Sequence, residues 1–100
     1  MISKKFFKTK DECEVTFEFD KENAESVQLV ASANDWEPIT LTKRKKDGVF
    51  YTKVRYPNNT HVQFRYLVDG NNWENDPAAD AYIPNEHGSK NSVVNTSPAG

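Results

Sequence analysis

Two indoles, and the polar groups around them, are the residues of this chain best suited to chemistry. Trp36 stands in "ASANDWEPITL", Ala31 to Leu41, and Trp73 in "DGNNWENDP", Asp69 to Pro77. The chain holds two tryptophans, and both lie among turn formers rather than in an alternating apolar run. A single turn tryptophan commonly folds back and caps the end of a core. A pair, each flanked by amides and carboxylates, fits a different task. The C–H face of a pyranose ring packs on an indole, and its hydroxyls seek Arg, Asn and Asp at the rim. Arg65 projects from the outer side of the strand that leads to Trp73. A sugar face lacks π-electrons, so each stack is worth about 1 kcal/mol, the low end of the range for bases. The expected affinity is a Kd of about 10 μM to 1 mM.

Other chemistry is poorly served. His61 lies in a turn and His87 in a loop before Gly88. Neither belongs to a recognisable Ser/His/Asp or Cys/His arrangement. Cys13 falls on the inward side of an alternating strand, where a thiol is inert packing. "DGNNWENDPAAD", Asp69 to Asp80, superficially resembles a calcium loop. The fifth, sixth and twelfth places require an oxygen ligand, glycine and glutamate. Trp73, Glu74 and Asp80 occupy them. "KRKK", Lys43 to Lys46, reads as a solvated hairpin tip that blunts a sheet edge. No catalytic residue, metal site or cofactor is expected, and the chain is read as a non-enzyme.

The elements that must position the indoles are strands. "CEVTFEF" alternates, with Cys13, Val15, Phe17 and Phe19 on one face. "VQLVA" places Val27, Leu29 and Ala31 inward, and "ITLTKR" carries Ile39 and Leu41. "KKDG", Lys45 to Gly48, is a hairpin turn before "VFYTKVRY". "VQFRYLV" sets Val62, Phe64, Tyr66 and Val68 against Gln63, Arg65 and Leu67. Asp69-Gly70 is a second turn signal. "NSVVNT" closes the series and "SKKFFK" opens it. About seven strands separated by turns, without a helical period, predict an all-β sandwich.

Bulk properties agree with one small domain. The chain has 100 residues, 36% hydrophobic and 28% charged, with net charge −2. That balance gives no field drawing it to nucleic acid or anionic lipid. No apolar run approaches a membrane span or a signal peptide. A single cysteine excludes an internal disulfide. The expected location is cytoplasmic, so the glycosylation patterns at Asn58 and Asn95 are read as chance matches.

Three motifs in order resemble a known family. "VQLVASANDWEPITLTK" (Val27 to Lys43) is similar to the opening motif of the glycogen-binding domain in β subunits of AMP-activated protein kinase. It is similar also to the isoamylase early-set domains of glycogen branching and debranching enzymes. "VQFRYLVDGNNWENDP" (Val62 to Pro77) resembles the second signature, and "HGSKNSVVN" (His87 to Asn95) the closing strand. The resemblance implies an immunoglobulin-like early-set β-sandwich over 1–96, followed by a disordered tail over 97–100. It implies stacking tryptophans at Trp36 and Trp73, and a basic hydrogen-bonding residue at Arg65. Asn91 would read sugar hydroxyls, while Asp69 and Asp76 would shape the loop. Kinase-type modules push a leucine through the ring of the sugar helix; here that place holds His87, whose imidazole can contact sugar.

The expected function is thus a stand-alone carbohydrate-binding module for α-1,4-glucans: glycogen, starch or maltooligosaccharides. The expected partner is an α-glucan oligosaccharide or polysaccharide, with no nucleic acid and no membrane. The alternative is a protein-interaction module that docks on or regulates a glycogen-metabolising enzyme. The outer-face residues Tyr51, Arg55 and Leu67 motivate it.

Overall fold

The most regular alternation in the chain builds the centre of the first sheet. In a computed structural model, which describes residues 2–98, β1 spans Ile2–Phe6 and β2 spans Glu12–Phe19. Along β2 the residues Cys13, Val15, Phe17 and Phe19 are buried, and the intervening Glu12, Glu14, Thr16 and Glu18 are half-buried. This is the period-two consequence of a pleated backbone. β3 covers Val27–Ala31, β4 Ile39–Thr40, β5 Thr42–Lys43 and β6 Phe50–Pro57. β7 covers His61–Val68, β8 Asn72–Glu74, β9 Ala81–Pro84 and β10 Lys90–Asn95.

All pairings among these strands are antiparallel and form two sheets. One runs β1-β2-β6-β5. The other runs β4-β3-β7-β10-β9, and β8 pairs with β7. Because β3 already occupies one edge of β7 along Phe64–Val68, β8 must share the opposite edge with β10.

The inner faces meet through aromatic rings. Phe17 of the first sheet touches Phe64 of the second edge-on at 5.0 Å, and Phe19 stacks on Tyr66 at 4.3 Å. Val15, Leu29, Val62 and Val94 fill the space around them. Burying each large side chain contributes roughly 1.5–3 kcal/mol. The fold is an all-β, immunoglobulin-like sandwich. No helix among the described residues is long and apolar enough to cross a membrane.

The strand count differs from the expected seven. "ITLTKR" is not one strand. Ile39 and Thr40 pair with Leu29 and Gln28 in the second sheet, whereas Thr42 and Lys43 pair with Tyr51 and Phe50 in the first. Leu41, 5% exposed, is the pivot. Its side chain enters the core while its N–H donates to Val27 O at 2.9 Å. β8 and β9 were not legible as strands, because one is three polar-flanked residues and the other is exposed throughout. A 3-10 turn at Ser32–Asn34 interrupts the all-strand pattern.

Both turn signals behave as their residues require. Asp69 and Gly70 have φ of 51° and 75°, and Asn71 N–H donates to Val68 O. Two successive positive-φ residues match the right-handed twist of the flanking strands. Gly48, at φ 74°, closes the β5–β6 turn, where Gly48 N–H donates to Arg44 O at 2.7 Å. Of the tail, Ser97 N–H donates to Asn95 Oδ1 at 2.9 Å. Ala99 and Gly100 lie outside the described residues.

Candidate ligand-binding groove

The outer face of the β7 sheet carries the residues singled out for chemistry. Alternation that sends Phe64 and Tyr66 inward sends Gln63, Arg65 and Leu67 outward. Register then supplies neighbours: Val30 of β3 lies opposite Arg65, and Trp73 of β8 opposite Leu67. The tight Asp69-Gly70 turn folds β8 back along β7, so Trp73 stands diagonal to Arg65. The Arg65 guanidinium lies over the indole, its carbon 5.2 Å from the ring centre. Trp73 remains 48% exposed.

Trp36 reaches the same face from the loop after β3. Its backbone sits at φ 61°, directly after Asp35 at φ 51°. Asp enters this left-handed region readily, but a bulky residue is there only under constraint. The constraint is visible. Trp36 N–H donates to Ala31 O at 2.9 Å, Glu37 N–H to Asn34 O at 2.9 Å, and Asn34 Nδ2 to Glu37 O at 3.1 Å. Gln63 N–H donates to Ser32 Oγ at 3.0 Å, which ties the loop to β7. The indole that this backbone holds is 47% exposed.

The β9–β10 hairpin forms the third side. The Asn85 side chain organises it: Oδ1 accepts from the N–H groups of His87 and Ser89, and Nδ2 donates to Ser89 Oγ. Nδ2 also donates to Asn91 Oδ1 at 3.1 Å, and Asn91 Nδ2 donates to Gln63 Oε1 at 3.1 Å. A chain of amides therefore runs from the loop to the sheet.

Together these residues enclose an open groove of about 530 Å³, a size ordinary for a small-ligand site. Val30, Gln63, Arg65 and Asn91, on neighbouring strands of the sheet, form its floor, and Trp36 and Trp73 line it as well. Asn85, Glu86 and His87 form a lip. All five residues expected from the sequence, Trp36, Arg65, Trp73, His87 and Asn91, line this one concavity. Sequence reasoning missed Gln63, Val30 and the Asn85–Glu86 lip. The outward position of Gln63, two residues before Arg65, was the available signal. The lip depends on a hairpin whose first strand lacks any sequence signature.

Asp69 and Asp76 do structural work. Asp69 Oδ1 accepts from Glu25 N–H at 2.8 Å and Ser26 N–H at 3.0 Å. Asp76 is fully buried and accepts from Tyr66 Oη at 2.7 Å and Ala78 N–H at 2.8 Å. Burial, then the Asp76 carboxylate, pushes the Tyr66 phenol far above its ordinary range. Cys13 is buried, and its thiol is pushed upward by desolvation.

Tyr51, Arg55 and Leu67 do not form one contact patch. Leu67 belongs to the groove-bearing sheet, whereas Tyr51 and Arg55 stand on the outer side of β6 in the other sheet. There Arg55 lies over Phe7 and Arg44 over Tyr51. At the hairpin tip of the basic run, Arg44 pairs with Glu18 at 2.8 Å and Asp47 at 2.7 Å.

No protein-family model matches the chain, and no curated protein sequence matches it. Among solved structures, it is similar to ferric enterobactin esterase from Salmonella typhimurium, with a TM-score of 0.77 at 10% identity. The likeness is one of fold. It covers 98% of this chain and 35% of the esterase chain, so this sandwich spans about a third of that enzyme. The glycogen-binding resemblance rests on the three sequence motifs alone.

Proposed function

We propose that this chain is a carbohydrate-binding module that takes α-1,4-glucans into the groove between Trp36 and Trp73. The observation that carries the reading is the pair of half-exposed indoles on one concave face, with Arg65, Asn91 and His87 between and beside them. The indoles supply the stacking surface for C–H faces of successive glucose units. The amides and the guanidinium supply directional contacts to hydroxyls. Support comes also from the motif resemblance to glycogen-binding domains.

A second reading is a module that docks on a catalytic partner. It is favoured by the occurrence of a similar sandwich within an enzyme chain, the esterase.

Titration with maltoheptaose and β-cyclodextrin, followed by tryptophan fluorescence, separates the two. The expected result is saturation at up to millimolar sugar. Trp73→Ala should weaken binding by about 5-fold or more, the loss of about 1 kcal/mol of stacking, with the unfolding transition retained. Silence at millimolar sugar, together with one stoichiometric partner recovered from cell extract, would leave docking as the function.

A further inference from the structure

Arg65 differs from the other two arginines of the chain. Arg44 pairs with Glu18 and Asp47, and Arg55 lies 3.9 Å from both Glu12 and Glu14. Arg65 has no carboxylate partner among the described residues, and its Nε is buried with no acceptor. One face of its guanidinium is covered by Trp73. Glu86, on the groove lip, makes no ion pair with it.

The surrounding amides do not fill this gap. Asn91 Oδ1 accepts from Asn85, and Gln63 Oε1 accepts from Asn91. With its oxygen engaged, Gln63 has its amino group left for the groove. The centre of the floor therefore offers a cation and an amide donor side by side. A partly desolvated guanidinium without a counter-charge is costly. Neutral hydroxyls offset that cost weakly. An oxyanion accepts in bidentate fashion through charge-assisted bonds about twice as strong.

We propose that Arg65 and Gln63 form a subsite for an oxyanion, a carboxylate or a phosphate monoester, carried on the saccharide that occupies the groove. This inference rests on the saccharide reading of the same groove and adds the charge of the ligand.

The test is calorimetric titration of the full chain with four probes. These are maltoheptaose, its 6-phosphate ester, its counterpart oxidised to a carboxylate at one terminal C6, and inorganic phosphate. At low ionic strength at least one charged oligosaccharide should bind about tenfold or more tighter than maltoheptaose. The advantage should shrink as salt screens the pair. Whichever charged oligosaccharide gains more identifies the anion. Binding of inorganic phosphate that needs Arg65 supports the subsite independently of sugar.

Arg65→Met should bring charged ligands down to the neutral affinity. Arg65→Lys, which keeps charge without the planar fork, should retain part of the advantage. Should the Met variant not fold, the Lys variant and the salt dependence decide the matter. Equal affinity for neutral and charged oligosaccharides overturns the subsite and leaves the glucan reading standing. Binding of charged probes with neutral silence overturns the neutral-glucan reading and leaves the subsite. Silence from all four probes refutes both.

Discussion

Trp36 offers a way to separate backbone strain from ligand contact in one residue. Its φ of 61° places an L side chain where the left-handed conformation costs roughly 1–2 kcal/mol. Trp36→Ala and Trp36→Gly remove the same indole, so the difference between them isolates the backbone. Glycine relieves the left-handed cost. It gives back about 0.5–1 kcal/mol because its unfolded chain is freer. The glycine variant should therefore be more stable than the alanine variant by about 0.5–1 kcal/mol. For a domain of this size that is roughly 2–8 °C in Tm. Urea unfolding followed by far-UV circular dichroism reads the difference, with equal m-values confirming that the unfolded states are alike. Both variants should lose sugar binding to the same extent. An alanine variant as stable as the glycine variant would refute the reasoning: the loop would have relaxed out of φ 61°, and the hydrogen bonds from Trp36 and Glu37 would not be holding it.

Further outcomes follow from buried polar groups of the sandwich. Asp76→Ala should destabilise by roughly 1–3 kcal/mol, since it orphans the buried Tyr66 hydroxyl, whose desolvation is then uncompensated, whereas the N–H of the exposed Ala78 turns to water; a lowered urea midpoint with unchanged m-value checks it. Tyr56→Phe should stabilise by about 1 kcal/mol, because the buried Tyr56 hydroxyl has no partner among the described residues and its desolvation is uncompensated. Burial pushes the Tyr56 phenol up to about 12. The neutral form is thus favoured by folding: its contribution is complete below the unfolded value of about 10 and is lost as pH rises toward 12. Urea melts from pH 8 to 12 should show a shallower alkaline loss in Tyr56→Phe. The part due to Tyr66, raised by burial and then by Asp76, should remain.

The sandwich was largely legible because its core strands obey a simple period. β2 and β7 alternate without a break, and each apolar face found the other sheet. "ITLTKR" misled because alternation alone does not say which sheet a strand joins. Ile39 and Leu41 satisfy the inward pattern on either side of the crossing at Leu41. β8 and β9 were invisible for a different reason. Their backbones are ordered by neighbours, through the Asp69-Gly70 turn and the register with β10, rather than by apolar side chains of their own.

The site divides in the same way. Residue types and strand parity determined that Arg65 faces outward and that Trp36 stands in a turn, since these depend on local chemistry and the two-residue pleat; Trp73, expected in a turn, lies in β8 and pairs with Leu67. That the turn bearing Trp36 and the strand bearing Trp73, separated by β4 to β7, open onto one groove was decided by strand order, a long-range property. So were the strained φ of Trp36, the amide chain from Asn85 to Gln63 and the missing counter-charge of Arg65. Each requires knowing which distant atoms lie within hydrogen-bonding reach, and hydrophobic periodicity carries no information about that.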